Sequence, residues 1–98
     1  MKPVHFLLPA EREMMEAAQF YNRQSAGLGE DFLDKIEAAV RDIAKSPDRW
    51  PILGSSAIRR RFVHRFPYGL LYRVDPDEII ILAVMHLSRR PNYWMSRL

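Results

Sequence analysis

Apolar positions along this chain follow two different periods, and the change from one to the other divides it into halves. Val4-His5-Phe6-Leu7-Leu8 reads as a short strand closed by Pro9. Met14, Ala17, Ala18 and Tyr21 then fall at i, i+3, i+4 and i+7, which predicts a helix from Ala10 to about Ser25 with one face on a core. Ala26-Gly27-Leu28-Gly29 interrupts that pattern, because glycine readily takes the left-handed conformation that ends helices. Leu28, Phe32, Ile36, Ala39, Val40 and Ile43 resume helical spacing. Glu30, Asp31 and Asp34 crowd the start of this second helix and Lys45 its end, as the helix dipole favours, and Ser46-Pro47 stops it. A linker this short makes the two helices an antiparallel hairpin.

After a loop from Asp48 to Ser56, tacked down by Trp50 and Ile52-Leu53, the period becomes two. Arg59, Arg61, Val63 and Arg65 point to one side and Arg60, Phe62, His64 and Phe66 to the other. Pro67-Tyr68-Gly69 predicts a bend and Leu70–Val74 a strand. Asp75-Pro76-Asp77-Glu78 is a turn with proline at its favoured second position. Ile79 to Met85 is an unbroken apolar run, the mark of a central strand buried on both faces. Pro91 opens a last short helix through Trp94 to Leu98. The order β-α-α-β-β-β predicts a single α+β domain spanning residues 1–98, with the helical hairpin on one face of the sheet.

Composition narrows the class. The chain has no cysteine, which excludes disulfides, thiolate metal sites and a thiol nucleophile and suits a reducing, cytoplasmic setting. No apolar run approaches the roughly 18–20 residues of a membrane span, and the amino terminus lacks a signal-peptide core. Neither membrane association, nor a metal, nor a cofactor is expected; no Gly-rich phosphate loop, HExxH or GxSxG motif occurs.

Charge changes the picture most. Residues 1–48 hold six Lys/Arg against nine Asp/Glu, whereas residues 49–98 hold nine Arg, no Lys and three acids. A net −3 therefore faces a net +6, and a fold requires no such segregation. The basic half gathers at Arg59-Arg60-Arg61 with Arg65, at His86 with Arg89-Arg90, and at Tyr93-Trp94 with Arg97. Placed on strands, these predict one arginine-rich sheet face and a polyanionic partner. The plainer alternative is that Arg59–Arg61 protect an edge strand from pairing with other chains.

Met85-His86-Leu87-Ser88-Arg89-Arg90-Pro91-Asn92-Tyr93-Trp94 is the segment where chemistry concentrates. His86 leaves a buried strand, Arg89 or Arg90 follows within a turn, and Tyr93 lies one turn beyond. A histidine to move a proton, guanidinium groups for phosphate and a phenol to stack on a base suit RNA phosphodiester cleavage. Against that stand a strand-end histidine bonded only to backbone and a Tyr93-Trp94 pair that merely lids the sheet.

Across nearly its whole length the chain resembles the RelE/ParE toxins of bacterial type II toxin–antitoxin systems, including members labelled plasmid stabilization proteins. The resemblance is carried by Glu16-Ala17-Ala18 with Phe20-Tyr21, Gly27-Leu28-Gly29 with Phe32, Pro47-Asp48-Arg49-Trp50-Pro51, Arg60-Arg61, Arg65-Phe66-Pro67-Tyr68, Tyr72-Arg73-Val74, Ala83-Val84-Met85-His86 and Arg89-Arg90-Pro91-Asn92-Tyr93-Trp94. It implies a helical hairpin on a small antiparallel sheet, and a growth-arresting toxin held silent by a cognate acidic antitoxin in a hetero-oligomer. The ParE-like branch inhibits DNA gyrase and the RelE-like branch is an mRNA endonuclease on the ribosome. For a ribonuclease, the resemblance makes Arg61, Arg65, His86, Arg89 and Tyr93 the catalytic set. Target and antitoxin contacts would fall on Arg59, Arg60, Arg61, Arg65, Arg73 and Arg90. The absence of lysine from the basic half, and of a carboxylate placed as a base, favours the gyrase inhibitor, with the mRNA interferase as alternative.

Overall fold

The computed structural model describes all 98 residues, Met1–Leu98. Strand β1 (Val4–Phe6) is followed by helix α1 (Leu8–Gln24), helix α2 (Leu28–Lys45) and strands β2 (Arg59–Phe62), β3 (Tyr68–Val74) and β4 (Ile79–His86), and a 3-10 turn over Tyr93–Arg97 ends the chain. The sheet order is β1-β4-β3-β2. The α+β architecture of a hairpin against a small sheet is therefore as the sequence predicts, with one change in pairing. β1 runs parallel to β4, Val4 opposite Ile79 and Phe6 opposite Ile81, so the sheet is mixed rather than wholly antiparallel. The α hairpin supplies the crossover that a parallel pair needs.

Local chemistry accounts for the boundaries. Helix α1 starts at Leu8, two residues before the predicted start, because Pro9 sits in the first turn, where its missing N–H costs nothing. Gly27, at φ +88°, turns the chain into α2. Gly29 lets the helices touch: a Cβ there would lie 2.2 Å from the Ala18 carbonyl oxygen. Its amide donates to Asn22 Oδ1 at 2.8 Å, tying the second helix to the first.

Strand β2 stops at Phe62, well short of the predicted alternation through Phe66. Arg65 sits at φ +75°, a left-handed conformation that no strand holds, so it does not share a strand face with Arg59 and Arg61. The predicted bend at Tyr68-Gly69 is already strand, paired with His86 and Met85. The last short element begins after Asn92, at φ +63°, and not at Pro91.

Two apolar layers flank the sheet. Phe32, Ile36, Ile43, Leu70, Tyr72, Ile79, Ile81 and Val84 pack with the alanines of α1 on the helix side. Ile58, Leu71, Ile80, Leu82, Ala83, Met85 and Trp94 form a smaller layer on the second side. Each fully buried large side chain contributes roughly 1.5–3 kcal/mol, and β4, buried from Ile79 to Met85, belongs to both layers. Trp50 packs on the first layer and Leu53 on the second, so the 48–58 loop is tacked down as the sequence predicts, while Ile52 stays exposed and bridges Arg59.

A bulge in β4 sets up the site. Tyr72 faces Ile81 while Leu71 faces Ala83, leaving Leu82 as the extra residue. A bulge of this kind re-aims every group beyond it.

Candidate functional site

Strand β1 pairs with β4 only as far as Ile81, so beyond that point the outer edge of β4 has no strand beside it. Two side chains take its place. Glu13 of α1 accepts from the Val84 amide at 3.0 Å, and Arg97 donates to the Leu82 carbonyl at 3.0 Å. The two also pair with each other, Arg97 Nη1 to Glu13 Oε1 at 2.8 Å and Nη2 to Oε2 at 3.1 Å. Their side chains are only 15% and 16% exposed, so this pair is geometrically tight and largely dry. Glu13 Oε2 also accepts from the Tyr93 hydroxyl at 2.6 Å. Burial first, and this bond to Glu13 second, push the Tyr93 phenol well above the ordinary tyrosine range. Arg97 is in turn held in its charged form chiefly by the Glu13 bond.

Above this knot lies a cleft of about 240 Å³ between α1 and β4, bordered by Glu13, Phe20, Tyr68, His86, Arg89 and Tyr93. The bulged strand delivers His86 to its rim, edge-on to the Tyr68 ring at 5.0 Å. His86 Nδ1 accepts from the Ser88 amide at 3.0 Å and lies 2.7 Å from the Ser88 hydroxyl. The neutral ring therefore carries its proton on Nε2, which can donate to a ligand but has no free lone pair with which to take a proton. The Arg89 guanidinium lies 3.9 Å over the Tyr93 ring, with Arg97 at 5.0 Å from the same ring. The cleft can thus bind an anion or a peptide dipole. Of the two carboxylates that line the cleft, Glu13 is taken up by Tyr93, Arg97 and the Val84 amide, while Glu16 is exposed and has no partner.

Three of the residues predicted for catalysis, His86, Arg89 and Tyr93, do meet in this cleft. Arg61 and Arg65 do not. Arg61 is drawn to the far edge of the sheet, with Nη2 2.5 Å from Asp42 Oδ2 near the end of α2 and a further bond to the Phe62 carbonyl. That contact pulls the Asp42 carboxyl below the usual carboxylate range. Arg65 faces Asp31 at 3.5 Å.

The predicted single arginine-rich face does not form either. Arg59 turns to the helix side and donates to the Trp50 carbonyl at 2.7 Å, whereas Arg60 lies 4.5 Å over Phe62 on the second side. Arg73 is paired with Asp75 at 3.0 Å, and Arg90 stands exposed. Strand alternation and the early end of β2 divide the basic residues between the two faces.

Glu13 is the site residue that sequence reasoning passed over. Its one visible signal is position. Glu13 stands three residues after Ala10 and four before Ala17, both buried, so a charge sits inside the apolar stripe of α1. Its partners lie 71 to 84 residues away, a pairing that no local spacing reveals.

On a different surface, Phe6, Met14, Leu33, Ile36 and Val40 line an apolar groove between the helices and β1. No group of His, Asp and Glu is placed to hold a metal ion, and no helix is long and apolar enough to cross a membrane.

The sequence pattern described as "ParE toxin of type II toxin-antitoxin system, parDE" matches residues 4–91. The chain belongs to the ParE toxin family. Its match begins at β1 and ends just past the Arg89-Arg90 pair, so it takes in the cleft rim but not Tyr93 or Arg97. Among solved structures, a chain of the "Chromosomal ParDE TA system from P. aeruginosa" superimposes with a TM-score of 0.76 over 90% of this chain and 98% of that one. At 17% identity the likeness speaks for a shared ParE-type fold. No curated protein matches the sequence.

Proposed function

We propose that this ParE-family chain arrests growth by inhibiting DNA gyrase, without chemistry of its own. The observation that carries the reading is that His86 and Tyr93, the two proton-handling groups of the predicted catalytic set, are both engaged, which leaves Glu16 as the one unpaired carboxylate of the cleft. Tyr93 donates to Glu13, and His86 Nδ1 is taken by Ser88. Cleavage of RNA at a 2′-hydroxyl needs a base to remove that proton and an acid for the leaving oxygen. A phenol already donating to a carboxylate supplies no base, and the arginines assigned to that chemistry lie apart, at Asp42 and Asp31. A protein that works by binding has no such requirement, and membership of the ParE family points the same way.

In the resting cell the chain would sit in the cytoplasm with a cognate acidic antitoxin. The apolar groove of Phe6, Met14, Leu33 and Val40 suits an amphipathic helix of that partner, read at helical spacing. The groove's one charged lining residue is Glu37, itself paired with Arg41, so the apolar face of that helix would carry the contact.

The test uses purified gyrase. Supercoiling by gyrase should fall as the chain is titrated in, and recover when the antitoxin encoded beside it is added. Mapped transcripts from arrested cells should keep intact 5′ ends. Unimpaired supercoiling at saturating toxin, together with new mRNA ends at codon boundaries, would replace this reading with the mRNA endonuclease.

A further inference from the structure

Four of the nine arginines in the basic half have no carboxylate, and their placement is uneven. Arg59, Arg61, Arg65, Arg73 and Arg97 each meet an acid within 4 Å, at Asp48, Asp42, Asp31, Asp75 and Glu13. Arg49 stacks on Trp50 with no acid beside it. Arg60 and Arg89 border one feature, a cleft of about 230 Å³ on the sheet face opposite the helical hairpin, and Arg90 follows Arg89 directly in the chain. The other walls of the cleft include Leu53, Met85, Leu87, Pro91 and Trp94, and no acid lines it.

We propose that this second sheet face docks an acidic polypeptide segment of the growth-arrest target, anchored by one apolar side chain in the cleft beside Trp94. The proposal deepens the gyrase reading and rests on it for the identity of that target. Two features make the arginines here receptors, not ordinary surface charge. Arg60 lies 4.5 Å over the Phe62 ring and Arg89 3.9 Å over the Tyr93 ring. A guanidinium stacked on a ring has its flat face used and leaves its terminal Nη N–H groups as a fork that a carboxylate fits; in Arg60 the Nε–H is buried, so only this end is presented. Stacking also fixes the side chain beforehand, so less freedom is lost when a partner arrives.

Leu87, in the wall of the cleft, is 46% exposed; Phe62, under Arg60, is 51% exposed, and Met95, in an adjoining hollow that shares Leu53, Asn92 and Trp94, is 49% exposed. Exposed apolar surface rimmed by charge marks a protein contact. A duplex backbone would offer phosphates to the arginines but nothing to fill the apolar floor, so an acidic peptide with one apolar anchor is the better fit.

The absence of cysteine allows a clean experiment. Single cysteines are placed at Leu87→Cys and Met95→Cys on the second face and at Glu37→Cys beside the helical groove. Maleimide labelling is then timed with and without saturating gyrase. The expected result is labelling slowed at least tenfold at either second-face position and unchanged at Glu37→Cys. The charge-reversed R89E/R90E protein should inhibit supercoiling at least tenfold less than wild type while melting at the same temperature. Equal labelling at both second-face positions by a gyrase that is demonstrably inhibited would overturn the proposal. So would full inhibition by R89E/R90E. Protection of Leu87→Cys by a short DNA duplex alone would overturn the polypeptide occupant. If the wild-type chain leaves gyrase untouched, the gyrase reading fails separately. The docking face is then judged by growth arrest: loss in R89E/R90E with an unchanged melting temperature supports it, and undiminished arrest overturns it.

Discussion

At the scale of single residues, Glu13 joins three parts of the chain that are far apart in sequence. One carboxylate receives the Val84 amide, the Tyr93 hydroxyl and the Arg97 guanidinium, so helix α1, the bulged edge of β4 and the terminal turn converge on it. Replacing it by glutamine leaves Arg97 buried without its counter-charge, which costs about 3 kcal/mol in such settings. Glu13→Gln should therefore lower the melting temperature by more than 10 °C at neutral pH, on the rough scale of 4–8 °C per kcal/mol for a domain of this size. An unchanged melting curve would show that the pair adds nothing net. The phenols give a second handle. Tyr72 is pushed up to about 12 by burial, and burial also raises Tyr21, Tyr68 and Tyr93. A folded-state value above the unfolded one means the stabilisation is complete below pH 10 and disappears as the pH climbs. Denaturant midpoints should thus fall from pH 10 upward, with phenolate absorbance appearing together with unfolding instead of before it. Asp42 works in the opposite direction. Its carboxyl is lowered from 3.8 by the Arg61 bond, so its contribution is present above that pH and is lost as the pH drops below it. Because the Asp42 side chain is 47% exposed, solvent screens the pair, and Asp42→Asn should cost only about 1 kcal/mol at pH 7. Melting curves of mutant and wild type should converge well below pH 3.8.

Elements were easier to read than residues, for reasons visible in particular cases. Both helices and the buried run of β4 announce themselves because their periods are set by burial on known faces, 3.6 residues for α2 and an unbroken apolar stretch for Ile79–Met85. Strand β2 was overextended because alternation in Arg59–Phe66 continues past the point where Arg65 turns left-handed, and alternation carries no information on φ. The parallel pairing of β1 was equally hidden, since it depends on where the helical hairpin returns the chain. His86, Arg89 and Tyr93 were legible as a group because they sit within eight residues of one another, whereas Glu13 needed the three-dimensional fold. The hairpin turn offers the sharpest test at this scale. Gly29→Ala places a methyl 2.2 Å from the Ala18 carbonyl oxygen and 2.7 Å from the Asn22 side chain. Backbone cannot move aside as a flexible side chain would, so the helices must part, at a cost of about 2–3 kcal/mol. Gly27→Ala meets no neighbour but must hold φ +88°, which should cost only about 1 kcal/mol. Thermal melts in which Gly27→Ala is the worse of the two would contradict this account of the turn.

Across the whole molecule, the sequence's +6 half proves less charged towards a partner than it looks, because the −3 half reaches over to it. Asp31, Asp42 and Asp48 come from α2 and the loop after it, Glu13 from α1, and together with Asp75 they occupy five of the nine arginines. Charge that appears segregated along the chain is thus partly recombined by the fold, with Arg49, Arg60, Arg89 and Arg90 left unmatched. That remainder of free charge sets how strongly salt should act on an acidic antitoxin. Exposed ion pairs are each worth roughly 0.2–1 kcal/mol, so four of them amount to about 2 kcal/mol, or roughly thirtyfold in affinity. Raising salt from about 50 to about 500 mM shortens the screening length severalfold and should remove most of that share. The antitoxin's dissociation constant, measured by calorimetry across this range, should therefore rise between about ten- and thirtyfold and then level off, with the helical groove holding the remainder. A rise of a thousandfold would mean that the internal pairs open on binding and that Arg59, Arg61 and Arg65 turn outward to the partner. A flat dependence would leave the apolar groove as the sole source of affinity and reserve the free arginines for the target.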